Sequence, residues 1–597
     1  MRPSDIKRQA QRLGIAALLF LVLIGVGSLI SVPVDGERAG RLIRPTLVGL
    51  LGPDVTLDLT ASLSILPRPT LQIYNLTLSK KDIFSIKSQS ASVPVSILTL
   101  LSGGLSGSSL TITDPLITLP PSSLPETRQS ALALVSGLLG AADSQKNSAI
   151  ESIAIRSGRI VMSAEAPISF VEKFDADLSM TTAGRMSLEL HLPWKGEAVD
   201  LSARIEGVDE KTGSKASTLT IKSAPGTINL EGALATTPEL HFAGTIDLAI
   251  KALDRFGKWL DIDPPLTFAT PVAVKGAAEI TGERIAIRDA SLTLGKIEMK
   301  GGIGLDVAGQ RPLIFGSLSA GDMDVTEFLS PLWPKQAQGW KTDPLSNGLT
   351  PEQDFDVRLS AERVNLGIVR IANLAISILA KDRALDLTLG GSKLFQGAAK
   401  GKVSIKPEDD GYRVALHGSF ENIDLAQATL ALMDMRKIEG TTEGKFEFDS
   451  HGRTADDLMK ALSGTSDLTI SNGTLNGVNL ATILKRIETR PLSAIRDMKG
   501  GKTDFDRFHV SATIANGNAT LDKAEMIFPP NGMIMSGQVN IGERRLTIEG
   551  NATGPDPENG TAPAILPYTV TGSFDDPVVT PDVGRILKRQ GTTTPEP

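Results

Sequence analysis

Side chains able to do chemistry are sparse and scattered in this chain. Its five histidines are His191, His241, His417, His451 and His509. No two stand at the HxH or HxxxH spacing that brings two imidazoles to one metal, so no metal site is expected. There is no cysteine, which removes disulfides, thiolate metal sites and cysteine nucleophiles. Gly401-Lys402 and Gly444-Lys445 lack the leading glycine of a phosphate-binding loop. Ser317-Leu318-Ser319-Ala320-Gly321 lacks the first glycine of a nucleophile elbow. Asp575 and Asp576 are adjacent, so a strand sends them to opposite faces. The net charge of -7 and the absence of a long basic run beyond the N-terminus argue against nucleic acid. The residues point to a protein that is not an enzyme and calls for no cofactor.

What the sequence has in abundance is one-sided apolar surface. Val55 to Ile65 reads VTLDLTASLSI, with Val55, Leu57, Leu59, Ala61, Leu63 and Ile65 alternating with polar residues. A period of two is the signature of a β-strand with one apolar and one polar face. Leu71, Ile73, Leu76 and Leu78 make a second strand with an irregularity at Asn75. Further strands follow within Ile83–Ile97, at Ser109–Thr113 and at Leu116–Leu119. From Ile150 the alternation runs for about three hundred residues, as at Leu219/Ile221, Ile228/Leu230, Ile246/Leu248, Leu385/Leu387/Leu389 and Phe446/Phe448. Glycine with Asp or Asn marks the joins, as hairpin turns require. Strands are expected again at Val510–Ile514, Thr520–Phe528, Ile534–Ile541, Arg545–Glu549 and Tyr568–Thr571.

Helical spacing is rarer. Glu37–Leu51 reads as a short amphipathic helix leading out of a membrane, and Leu124–Ala142 as a second amphipathic helix. Short helical interruptions are expected near Leu253–Leu260, Val325–Leu329 and Leu425–Met435. Thr454 is an N-cap candidate with Asp457 three residues on, where glutamate is the usual partner, and Gly464 is the expected stop. Ala481–Met498 reads as one or two helices interrupted by Pro491.

Arg2, Lys7, Arg8 and Arg12 precede an uncharged run from Leu13 to Val32 that includes Leu18, Phe20, Leu23, Ile24 and Leu29. Twenty helical residues span about 30 Å, the thickness of a bilayer core, and no A-x-A-like cleavage site follows. The expected organisation is a basic cytoplasmic segment (1–12), a transmembrane anchor (13–32), an N-terminal β module (33–120) and a helix with middle strands (121–330). A Pro-rich joint (331–351), a second β-rich part (352–450), a C-terminal region (451–586) and a mobile tail (587–597) complete it. The positive-inside rule puts the N-terminus in the cytoplasm and the bulk of the chain on the other side.

Three coverings suit so many apolar faces. Two sheets can pack against each other, helices can lie on the sheet, or one open curved sheet can line a groove filled by lipid acyl chains. Periodicity does not choose among them.

Three passages resemble the AsmA family. The first runs from Val55 to Leu119, with Pro67-Arg68-Pro69-Thr70-Leu71, Ser90-Ala91-Ser92-Val93-Pro94-Val95 and Ile112-Thr113-Asp114-Pro115. The second is Leu462–Leu484, LSGTSDLTISNGTLNGVNLATIL, similar to the family's C-terminal signature. The third joins Thr503-Asp504-Phe505, Ile514-Ala515-Asn516-Gly517, Met535–Ile541 and Tyr568–Pro581, with Gln538 after Gly537 and Pro529-Pro530 departing from the pattern. The resemblance implies an inner-membrane-anchored periplasmic protein of Gram-negative envelopes. It implies a mostly β fold, an elongated curved antiparallel sheet whose groove carries phospholipid in support of outer-membrane biogenesis. An anchored scaffold working with outer-membrane assembly components is the alternative. Carried onto this chain, the lipid-contacting face expected from the family's first strands is Val55, Leu57, Leu59, Leu63 and Ile65 with Leu71 and Ile73.

Overall fold

The computed structural model describes residues 31–51, 54–64, 69–80, 83–95, 108–119, 150–162, 168–181, 185–208, 213–235, 241–260, 270–329, 340–345, 350–351, 353–433, 436–487, 500–555, 563–573, 577–582 and 584–585. The chain falls into two compact units, residues 1–262 with 269–290 and residues 263–268 with 291–597. The division runs between Ala290 and Ser291, upstream of the Pro-rich 331–351 stretch.

The first unit begins with β1 (Ser31–Val34), α1 (Gly36–Leu51), β2 (Thr56–Ser64), β3 (Thr70–Lys80), β4 (Phe84–Pro94), β5 (Ser108–Thr113) and β6 (Leu116–Leu119). It continues with β7 (Ile150–Met162), β8 (Ile168–Met180), β9 (Met186–Trp194), β10 (Glu197–Val208), β11 (Lys215–Ser223), β12 (Gly226–Ala235) and β13 (His241–Ile250). Helix α2 (Leu253–Leu260) and β14 (Val272–Thr281) follow, and β15 (Arg284–Leu294) lies at the division. Successive strands pair antiparallel, as tight hairpins dictate, with one exception. Strands β5 and β6, one line bent at Asp114 (φ 47), both pair with β7 in parallel.

The second unit holds β16 (Ile297–Asp306), β17 (Leu313–Asp324), α3 (Thr326–Leu329), β18 (Asp354–Leu366), β19 (Val369–Lys381), β20 (Ala384–Leu394), β21 (Gly397–Glu408) and β22 (Gly411–Asp424). Then come α4 (Leu425–Met433), β23 (Ile438–Gly452), α5 (Ala455–Ala461), β24 (Ser463–Asn476), α6 (Leu480–Ile487), β25 (Lys502–Ala515), β26 (Asn518–Phe528), β27 (Asn531–Asn540), β28 (Arg545–Thr553), β29 (Ile565–Ser573) and β30 (Pro577–Pro581). Here too the ladder is antiparallel except for one crossover, β17 to β18. The mostly antiparallel β architecture is therefore as expected. The two parallel joins are not, because alternation of side chains carries no strand direction.

Local chemistry explains several details. In β3 the apolar residues change phase between Ile73 and Leu76, and Asn75 between them sits at φ 52. Asparagine tolerates this left-handed backbone, and the bulge returns Leu76 and Leu78 to the face of Leu71 and Ile73. All four are at most 4% exposed. Asn422 (φ 55) works the same change between Phe420 and Ile423 in β22. Thr454 caps α5 in a complete capping box whose second half is Asp457, so aspartate serves where glutamate was expected. Gly464 does not stop that helix. Leu462 is already extended (φ -58, ψ 130), and Gly464 lies inside β24. Pro529-Pro530 form the two-residue link between β26 and β27, which accounts for that departure from the family pattern.

Leu13, Leu18, Phe20, Leu23, Ile24 and Leu29 of the expected anchor, the helix expected over 124–142 and Ile65 lie outside the described residues. The expected end of the anchor is corrected. Ser31 and Val32 belong to β1, where Val32 pairs with Leu63 and is 45% exposed. Among the described residues no helix is long and apolar enough to cross a membrane. Trp340 donates its indole N–H to the Ile541 carbonyl at 2.8 Å, with Arg544 over its ring, so this tryptophan is pinned within the second unit.

Replacing Asn75 by isoleucine forces a β-branched residue into a left-handed backbone. It should lower unfolding free energy by about 1–3 kcal/mol in urea titrations, whereas Asn75→Gly should stay within about 1 kcal/mol.

Candidate functional site

The apolar face of the first strands is covered by the chain itself. Ala39, Ile43 and Leu47 of α1 recur at helical spacing and are at most 4% exposed. They form one core with Val55, Leu59, Leu71, Ile73, Leu76 and Leu78, against which Leu57 and Leu63 pack partly buried. The helix lies close enough that a Cβ on Gly36 would sit 2.5 Å from the Leu59 carbonyl oxygen. Of the residues carried over from the family's first strands, Val55, Leu59, Leu71 and Ile73 are thus core residues under α1, Leu57 and Leu63 lie partly buried against them, and Ile65 is outside the described residues. An amphipathic helix looks the same in sequence whether its apolar stripe meets lipid or a sheet.

Further along the first unit the pairing registers build two uninterrupted apolar rows across eight strands. One runs Ile155, Ala176, Leu190, Leu201 and then Ile221, Ile228, Leu248, Val274. Its neighbour runs Ile153, Leu178, Leu188, Ala203 and then Leu219, Leu230, Ile246, Gly276. Seven strand spacings make each row roughly 34 Å long. Apart from buried Val274, the side chains of both rows are only half-buried. Ile153, at one end of its row, packs against the α1 core, and α2 sits at the ends of β9 and β12. Trp259 donates to the Trp194 carbonyl at 3.0 Å and stacks edge-on to its ring, and Phe256 lies beside Gly226.

The second unit repeats the arrangement. Val357, Ile378, Leu387, Val403, Leu416 and Phe448 form a row over β18 to β23, all half-buried. The parallel row Leu389, Gly401, Gly418, Phe446 loses its side chains at the two glycines, and the Phe446 ring lies over Gly418. At the far end Leu480, Ile483 and Leu484 of α6 close the face over Phe505, Met526, Met533, Ala552, Leu566 and Tyr568.

The opposite face is polar. Arg156–Asp177, Lys275–Asp247 and Arg288–Glu279 pair across strands in the first unit, and Lys402–Asp386 and Arg413–Asp449 in the second. Such exposed pairs stabilise little but keep this face wet. Partial burial opposes the charge on Asp386, yet hydrogen bonds from Lys402 and Ser404 outweigh it and hold the carboxyl below its ordinary range. Three histidines meet partners on neighbouring strands: His191 bonds to Asp200, His241 to Thr281 and His509 to Thr469, with Asp467 3.7 Å from the other His509 nitrogen. An open hollow of ≈ 950 Å³ on β20 to β26 mixes Lys400, Lys402 and Lys445 with Glu447, Asp467 and Asp522, with no excess of either sign. The apolar rows are therefore the more distinctive surface.

Residues 333–524 match the AsmA family model. The match covers about a third of the chain and includes β18 to β25, the rows of the second unit and α6. No curated protein shows significant similarity to the chain. The AsmA match agrees with the resemblance read from Leu462–Leu484 and Thr503–Gly517, and it supports a role in outer-membrane assembly or lipid transport.

The hydrogen bond from His191 Nδ1 to Asp200 (2.7 Å) raises the imidazole above its ordinary value. The charged form is favoured on folding, so its contribution to stability is full below the unfolded pKa and is lost as pH rises through the folded one. An NMR titration should place His191 above the ordinary imidazole value, and Asp200→Asn should bring it back.

Proposed function

We propose that this protein binds lipid acyl chains on its half-buried apolar rows and carries phospholipid in support of outer-membrane biogenesis. The supporting observation is the pair of rows from Ile153 and Ile155 to Gly276 and Val274. They present a strip one charge-free side chain after another on a sheet whose reverse face is ionic. An acyl chain laying about ten methylenes on such a strip gains on the order of 8 kcal/mol before ordering costs. That reading is of a carrier rather than a catalyst, with the polar headgroup left in water. The lipid-facing residues are then Leu219, Leu230 and Ile246 and their neighbours, in place of Val55 to Ile73.

The AsmA match supports the same reading. In it the apolar segment upstream of Ser31 is an inner-membrane anchor with a cytoplasmic N-terminus, and the sheets stand in the periplasm.

Leu230→Asp puts a charge in the middle of the strip without opening a core. It should leave the unfolding free energy from urea titration within about 1 kcal/mol of the parent and weaken binding of a fluorescent fatty-acyl probe about tenfold or more. Leu59→Asp, in the α1 core, should instead lower stability by about 3 kcal/mol or more. Equal unfolding by both changes, or undiminished probe binding in folded Leu230→Asp, would overturn the proposal.

A further inference from the structure

Helix α6 interrupts the β24–β25 hairpin on a neck built unlike any ordinary turn. Gly477, Gly500 and Gly501 stand at φ 97, 101 and 87, open to glycine and strained for other residues. Gly477 N–H donates to the Gly501 carbonyl and Gly500 N–H to the Gly477 carbonyl, each at 2.9 Å. One buried side chain clasps the neck: the Thr503 hydroxyl donates to the Val478 carbonyl at 2.7 Å and accepts from Leu480 N–H at 3.0 Å. The helix begins on Asn479, whose side chain accepts from Thr482 N–H. Its apolar stripe, Leu480, Ile483 and Leu484, is at most 6% exposed, while Lys485 and Arg486 face outward.

Beneath the helix one polar group is out of place. Tyr568 of β29 is 6% exposed, its ring lies across Gly550, and its hydroxyl is buried without a hydrogen-bond partner among the described residues. Burial alone pushes this phenol well above its ordinary value, so it stays protonated, a donor without an acceptor among the described residues. Such orphans are rare in packed cores, and this one is joined to an otherwise apolar bed of Met526, Met533, Ala552 and Leu566.

We propose that α6 is a lid that lifts on the glycine neck, and that the bed beneath it binds an acyl chain whose ester carbonyl accepts from the Tyr568 hydroxyl. The ligand class is an ester-linked glycerolipid. The ligand half of the proposal rests on the lipid reading above; the lid half does not.

The cysteine-free chain allows a direct test. Ala552→Cys places a thiol under the lid, and Ala91→Cys places a control thiol in the α1 core, where Ala91 is 2% exposed. Removing the clasp with Thr503→Val, or weakening the seat with Leu484→Ala, should speed maleimide labelling at position 552 about tenfold and leave position 91 unchanged. Equal acceleration at both positions reports general unfolding and overturns the lid. Vesicles of dioleoyl phosphatidylglycerol should then protect position 552 more than vesicles of its diether analogue. Tyr568→Phe should abolish that difference. Equal protection by both lipids overturns the Tyr568 contact. A working lid with no protection by either lipid, together with no acyl-probe binding to the parent, overturns the lipid reading and leaves the lid standing.

Discussion

The constraint behind this structure is that a hairpin ladder satisfies backbone hydrogen bonds along the strands and does nothing for the side chains above them. Each added strand extends the apolar face by one more row element and brings no cover with it. The chain meets the consequence in two ways. Near β2 to β5 it lays α1 on the sheet and makes a closed core, and near β25 to β29 it does so with α6. Between those regions, within each unit, the rows remain half-buried.

Much of this was legible in the residues. The strand set from Leu116–Leu119 to Tyr568–Thr571, the helix at Leu253–Leu260 and the irregularity at Asn75 follow from spacing alone. A period of two, a period of 3.6 and a phase slip are local properties. Two kinds of information were not local. The parallel joins β5/β6 to β7 and β17 to β18 depend on where a connection returns. The destination of α1 depends on a partner surface elsewhere in the chain. Ile43 and Leu47 have the same sequence spacing over a bilayer as over Leu59 and Ile73, so the cover that α1 lays on the first strands could not be read from spacing.

The candidate surface was legible in kind rather than in place. Leu219/Ile221, Ile228/Leu230 and Ile246/Leu248 were visible as alternating pairs, but only register shows that they stand side by side. Register is set by turn geometry and by bulges such as Asn422, and a slip of one residue would send each side chain to the other face. Tyr568 gave no signal at all, since a tyrosine in a strand is ordinary until its hydroxyl is found without a partner.

The short strand β30 carries a consequence of another sort. Asp582 N–H donates to the Pro567 carbonyl, and Tyr568 stands opposite Pro581. In an antiparallel pair the direction of the backbone groups alternates, so positions 578 and 580 face β29 while 577, 579 and 581 face away. Two of those three outward positions are proline, which has no N–H to offer. Val578 and Val579 are each 51% exposed, a combination that would otherwise invite a strand from another molecule. Among the described residues only Val579 has an N–H on the outward side of β30, so this strand offers no continuous row of donors to a strand from another molecule.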